Sequence, residues 1–122
     1  MSAQEKSIDQ VCIQVHPARA PELNVSRLSE ECEVIAKQTE GIRGIGITEG
    51  EDQGPYLNIV FAAENPIDAW HKVKAVLLES TEFGTSLKAS CMCMCTGKNG
   101  WDDYLLLYHF DPKVSLDEAG DA

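Results

Sequence analysis

Hydrophobic residues recur along this chain at two spacings, and the spacing switches from segment to segment. Over Val11 to His16 the apolar Val11, Ile13 and Val15 alternate with Cys12, Gln14 and His16, which is the period of a half-buried strand. After Pro17 and Pro21, which break the backbone ladder, the period lengthens. Val25, Leu28, Cys32, Ile35 and Ala36 form one stripe at helical spacing, with Asn24 suited to cap the helix start and Gly41 to stop it. Alternation returns over Ile42 to Thr48, where Ile45 and Ile47 oppose Gly44 and Gly46. It continues from Tyr56 to Ala63, with Leu57, Ile59 and Phe61 as core positions. Asn65-Pro66 opens a second helix with an asparagine cap and a proline in the first turn. Its stripe is Trp70, Val73 and Leu77, widened by Ala69 and Val76, and it is expected to end between Ser80 and Gly84. From Leu87 to Pro112 the pattern predicts two long strands joined by a polar turn at Gly97, Asn99 and Gly100.

The predicted order is therefore β-α-β-β-α-β-β. Its first six elements match the ferredoxin-like split βαβ plan, so the expected class is α+β, a two-layer sandwich. Two helices would cover one face of an antiparallel sheet, and the added C-terminal strand would lie beside the fourth. One domain spans 1–122, with 1–10 and 113–122 as loose ends. Tyr56, Val60, Met92, Met94, Leu105 and Leu107 place apolar residues on both parities of the last strands. An apolar open face calls for a partner, and a homodimer through that face or the edge strand is one way to cover it.

Charge narrows the partners. Twenty acids against ten bases give a formal charge of −10. Free nucleic acid and anionic membrane surfaces are bound through basic side chains, so both are disfavoured. The charge steers the protein toward a basic protein partner instead. The segment MSAQEKSIDQ lacks the apolar core of a secretion signal, and no apolar run is long enough to span a bilayer. The expected compartment is the cytosol, where the five cysteines remain thiols.

Two clusters carry candidate chemistry. Cys91, Cys93 and Cys95 alternate on one strand and so share a face, and His109 lies on the next strand. They are the candidate metal ligands, but structural zinc sites use C-x₂₋₄-C pairs and none occurs here. Small core residues in a buried strand account for the same pattern, so no metal or cofactor is expected. His16, His71 and His109 join no G-x-S-x-G, phosphate-loop or H-E-x-x-H signature, and no catalytic residue is assigned.

The second cluster is Trp101, Asp102, Asp103 and Tyr104, at the exit of the polar turn. Aromatics dominate binding hot spots and acids steer encounter, so this cluster suits a basic protein surface. Glu49, Glu51 and Asp52 form a secondary acidic turn. In size, charge and fold class the chain is similar to the small acidic immunity proteins of bacterial toxin systems. That likeness implies a non-enzymatic protein that docks or neutralises a basic partner such as a toxin. The rival expectation is a small-molecule or metal-binding domain, or a homodimeric module, that uses the open sheet face with Cys91, Cys93 and Cys95.

Overall fold

The computed structural model describes residues 9–51, 54–80, 82–97 and 100–117. Five strands form one sheet: β1 (Asp9–Val15), β2 (Ile42–Glu51), β3 (Pro55–Ala63), β4 (Cys91–Gly97) and β5 (Gly100–His109). Their spatial order is β2-β3-β1-β4-β5, and every neighbouring pair is antiparallel. The helices are α1 (Val25–Gln38), α2 (Pro66–Val73) and α3 (Gly84–Ser90). Because β1 and β2 are each antiparallel to the β3 between them, α1 must carry the chain across β3. Likewise α2 and α3 carry it across β1.

The caps read from the sequence close both long helices. Asn24 Oδ1 accepts from Arg27 N at 3.0 Å, and Asn65 Oδ1 accepts from Ile67 N and Asp68 N at 3.1 and 3.2 Å. Gly41 takes φ +94° after α1, a conformation that other residues rarely adopt.

Residues paired across antiparallel strands share a face, so the register sorts every side chain. Val11 is level with Phe61 and Cys95, and Ile13 with Ile59 and Cys93. All six are buried, in one core with Leu28, Cys32 and Ile35 of α1 and Trp70 and Val73 of α2. The helices thus cover one face only.

Three expectations are corrected. The fourth strand begins at Cys91, because Leu87 belongs to a third helix. Alternation of Leu87 and Ala89 with Lys88 and Ser90 imitates a strand, but Ser80 Oγ accepts from Glu82 N and Phe83 N and turns the chain. Phe83 and Leu87, four apart and both buried, then dock on the core. Val76 leaves the α2 stripe and is 41% exposed. The cause is a wider π turn over Lys74–Leu78, which rotates the side chains that follow and still buries Leu77 and Leu78. At the chain ends, Asp9 and Gln10 are already in β1. Lys113 to Asp117, read as a loose tail, folds back along β5: Asp117 N donates to Leu106 O at 2.8 Å, and Leu106 N to Asp117 Oδ2 at 2.7 Å. Among the described residues no helix is long and apolar enough to cross a membrane.

Candidate functional site: the open face of the sheet

The alternate residues of the same strands stand on the face the helices leave open. From β1 come Gln10, Cys12 and Gln14; from β3, Tyr56, Asn58, Val60 and Ala62; from β2, Gly44, Gly46 and Thr48; from β4, Met92 and Met94. A groove of about 680 Å³ runs over this face, and none of the residues lining it is charged. In a chain with 25% charged residues, a charge-free face of this extent sets it apart from the rest of the surface.

Strand-borne amides form the floor. Gln14 Nε2 donates to Asn58 Oδ1 at 3.0 Å, which the Gln14–Asn58 register makes directly cross-strand. The Cys12 thiol lies 3.8 Å from the same oxygen. At one end His16 Nε2 meets Gln14 Oε1 at 2.9 Å, and its ring contacts Tyr56 and Phe110. The Arg19 guanidinium covers the Phe110 ring at 3.9 Å, which completes a cation–aromatic cluster there.

Trp101 walls the other end. The β4–β5 register runs from Cys95–Leu105 to Gly97–Gly100, so Thr96 alone faces residues 101–104. The extra residues bulge out of the ladder as a strap. Gly97 makes room for it, since a Cβ there would collide with the Asp103 carbonyl. From the strap the Trp101 indole reaches past β4, where its Nε1 donates to Gln10 Oε1 on β1 at 2.8 Å. An indole N–H can only donate, so this bond also fixes which way the Gln10 amide points. Thr96 supports the same strand end: its Oγ1 accepts from Gln10 N at 3.0 Å and donates to Asp9 Oδ1 at 3.2 Å. Trp101 is nevertheless 40% exposed and Tyr104 51%, and Asp102 and Asp103 stand in solvent beside them.

The candidates named from sequence separate on this geometry. Trp101, Asp102, Asp103 and Tyr104 stay together, in a strand bulge and not in a turn. Glu49 and Glu51 are level with Leu57 and Pro55, on the parity of the covered face, and sit at the far edge and opposite end of the sheet from Trp101. Asp52 lies outside the described residues. The two acidic clusters therefore do not form one patch.

The sulfur–histidine set is divided by the sheet itself. Cys91, Cys93 and Cys95 are wholly buried under the helices, not on the open face, with Cys91 Sγ and Cys93 Sγ 4.0 Å apart. His109 is level with Met92 on the other side, and its Nδ1 accepts from Asp111 N at 2.9 Å. Among the described residues no group of three His, Cys, Asp or Glu is placed to hold a metal ion. Burial holds two core thiols protonated: Cys32 is pushed up to about 12, with Glu31 and Glu33 adding to the effect, and Cys93 rises well above the usual range. Cys12, the one cysteine on the open face, is itself pushed up to about 11 by burial.

Leu105 and Leu107, among the apolar residues expected on both parities of the last strands, are sorted by the register. Leu105 is level with Cys95 on the covered side. An irregularity between Cys93–Tyr108 and Met94–Leu106 leaves Leu107 as the extra residue, which packs beside Trp70 and Leu78. The residues that sequence reading missed are Gln10, Gln14 and Asn58. Their signal was present as amides at alternate positions of two strands that are otherwise apolar.

No family model matches this chain, and no curated protein or solved structure matches it either.

Proposed function

We propose that this protein is a non-enzymatic binding protein that docks a protein partner on its open sheet face, with the Trp101–Tyr104 strap as an acidic rim. The observation that carries this reading is the charge-free groove flanked by Trp101, Asp102, Asp103 and Tyr104. Protein interfaces share this anatomy: a centre depleted in charge, aromatic anchors, and a charged rim exposed to water. The suited partner has an uncharged patch bordered by basic residues, which the −10 chain would steer toward the rim. Neutralisation of a basic toxin by a small acidic cytoplasmic protein is one biological form of such docking. The fold is grouped, in the same proposal, with ferredoxin-like α+β proteins. What supports that grouping is the order β2-β3-β1-β4 within the sheet, with β5 and α3 as additions.

The test is capture of a protein partner from lysate on immobilised protein, compared with a Trp101→Ala, Asp103→Ala double variant. Recovery of a partner by the native chain and its loss in the variant is the expected result. Equal capture by both would remove the strap from the site, and capture by neither, of a lysate protein or of added free native chain, would sink the reading.

A second reading has its own support. A groove of about 680 Å³ falls in the range of small-molecule sites, and its amide floor offers hydrogen bonds to an uncharged ligand. Titration calorimetry with a library of neutral aromatic compounds separates the two, because only this reading expects saturable one-to-one binding.

A further inference from the structure

We propose that the occupant of the open face is a second copy of this chain, packed face to face so that each Trp101 fills the hollow beside Gly44 and Gly46 of the other. This rests on the docking reading above and names the partner. Three observations lead to it, and each concerns a different property of the face.

The first is shape. Trp101 springs from β5 at one edge of the face, and its indole lies across β4 with Nε1 bonded to Gln10 of β1. Gln10 is level with Ala62, and Ala62 with Gly44 on β2 at the opposite edge. A side chain at Gly44 or Gly46 would meet nothing within 4 Å, so the surface there is hollow. Knob and hollow thus lie at the same height along the strands and on opposite sides of one face. A two-fold axis parallel to the strands, between two facing sheets, preserves height and exchanges the edges. It sets β5 of each copy over β2 of the other, and the Trp101 indole into the groove at Val60 and Ala62, beside Gly44 and Gly46. A surface that carries both its knob and the matching hollow in this relation is self-complementary, as an isologous interface requires.

The second is charge. Two copies at −10 repel across most surfaces, and the groove-bearing face, whose lining carries no charge, spares them that cost. The same rotation brings Asp102 and Asp103 toward Arg43 of the second copy, on the β2 edge beside Gly44. Arg43 is held at that edge by a 2.6 Å contact to Glu64. Arg43 is thereby shared between Glu64 of its own copy and the acidic strap of the other.

The third is area. Strands spaced about 4.8 Å apart with about 3.3 Å of rise per residue give a five-strand face of roughly 500 Å² per copy. The pair buries about 1,000 Å², the lower bound for a specific interface, and aligned packing of two such sheets is an established geometry.

The test needs no ligand. Sedimentation equilibrium of the full chain is expected to give twice the 13.4 kDa of one copy. Trp101→Ala should raise the dissociation constant more than about tenfold, as loss of a central tryptophan anchor does, with its far-ultraviolet circular dichroism unchanged. The geometry itself is tested by an Asp102→Cys, Arg43→Cys double variant, which keeps Trp101, treated with a cleavable bis-maleimide matched to the roughly 10 Å between packed sheets. Those positions are four strand spacings apart within one chain, roughly 19 Å, and beyond reach of an internal link. A cleavable dimer on a denaturing gel, absent from either single variant, supports the packing. A monomer at all concentrations overturns the self-association outright. A dimer that does not cross-link and is indifferent to Trp101→Ala overturns the face. If the chain is monomeric but still captures another protein through Trp101, only this inference falls and the docking reading stands.

Discussion

The two faces of this sheet are made by the same strands, yet they are held together by different physics. On β1 the covered side carries Val11, Ile13 and Val15, and the open side carries Gln10, Cys12 and Gln14. The covered side is dry, apolar and close-packed against three helices, so its stability comes from removal of surface from water. The open side is half-buried and polar without being charged, and directional amide bonds order it. A face built the second way gives up little stability when altered. It presents fixed donors and one large aromatic to whatever lies above it. The contrast therefore separates the residues that make the fold from those available for recognition, and it can be attacked from either side.

The largest effect is expected on the covered side. Phe61 is wholly buried between β1 and β2 partners, and Phe61→Ala should cost about 3–5 kcal/mol in urea denaturation. Val60→Ala, one residue away on the open face, should cost under about 1 kcal/mol by the same measurement. Equal costs would erase the distinction between the faces.

Alkaline titration probes the covered thiols next. The unfolded chain releases thiol protons near 9.0, whereas the folded chain holds them until about 11 at Cys95 and about 12 at Cys32. Between those values the unfolded state binds fewer protons, so unfolding free energy falls as pH rises. This contribution is complete below about pH 9 and is lost through about pH 11 to 12. A thiol reagent at pH 8 should correspondingly leave Cys93 unmodified until denaturant is added. Rapid reaction of a core cysteine in the native protein would contradict its burial.

How much of this was legible in the sequence follows the same division. Period-2 and period-3.6 patterns identify all five strands and the two long helices, because burial on one side writes itself into the order of residues. Asn24 and Asn65 mark their helix starts for an equally local reason. The cysteine ladder is legible as strand-borne, but parity alone cannot say which face the helices take. Cys91, Cys93 and Cys95 were assigned to the open side in the ligand-binding alternative for that reason. Leu87 was misplaced because a short helix, with one buried pair at Phe83 and Leu87, writes too few turns to outweigh a chance alternation. The strap was visible as a cluster, but its geometry depends on the β4–β5 register. That register shifts by residues 101–104 against Thr96, and no local pattern encodes the shift. The separation of Glu49 and Glu51 from Trp101 has the same origin: strand order, not sequence distance, sets which acids are neighbours.

The strap is where the two faces meet, so Gly97→Ala is the sharper intermediate test. Its methyl group would collide with the Asp103 carbonyl, and such overpacking costs about 1–3 kcal/mol. The larger consequence is positional. The bulge must move away, Trp101 withdraws from Gln10, and its fluorescence emission should shift to the red while buried Trp70 is unaffected. Unchanged emission would mean that the strap does not depend on the close approach at Gly97.

The smallest expected effect is on Gln10 itself. Gln10→Met keeps the length of the side chain and removes the acceptor for the Trp101 indole, and nothing on the covered face is touched. The bond is exposed and neutral, so its loss should cost no more than about 1 kcal/mol and leave the denaturation midpoint nearly in place. Trp101 should nonetheless lose its fixed orientation, which time-resolved anisotropy in a Trp70→Phe background reads as faster indole motion. Binding at the open face should weaken by more than stability does, since a recognition residue held in place costs less to order on docking. A variant with unaltered indole motion and unaltered binding would show that Trp101 is positioned by the strap alone, and that the amide floor plays no part in aiming it.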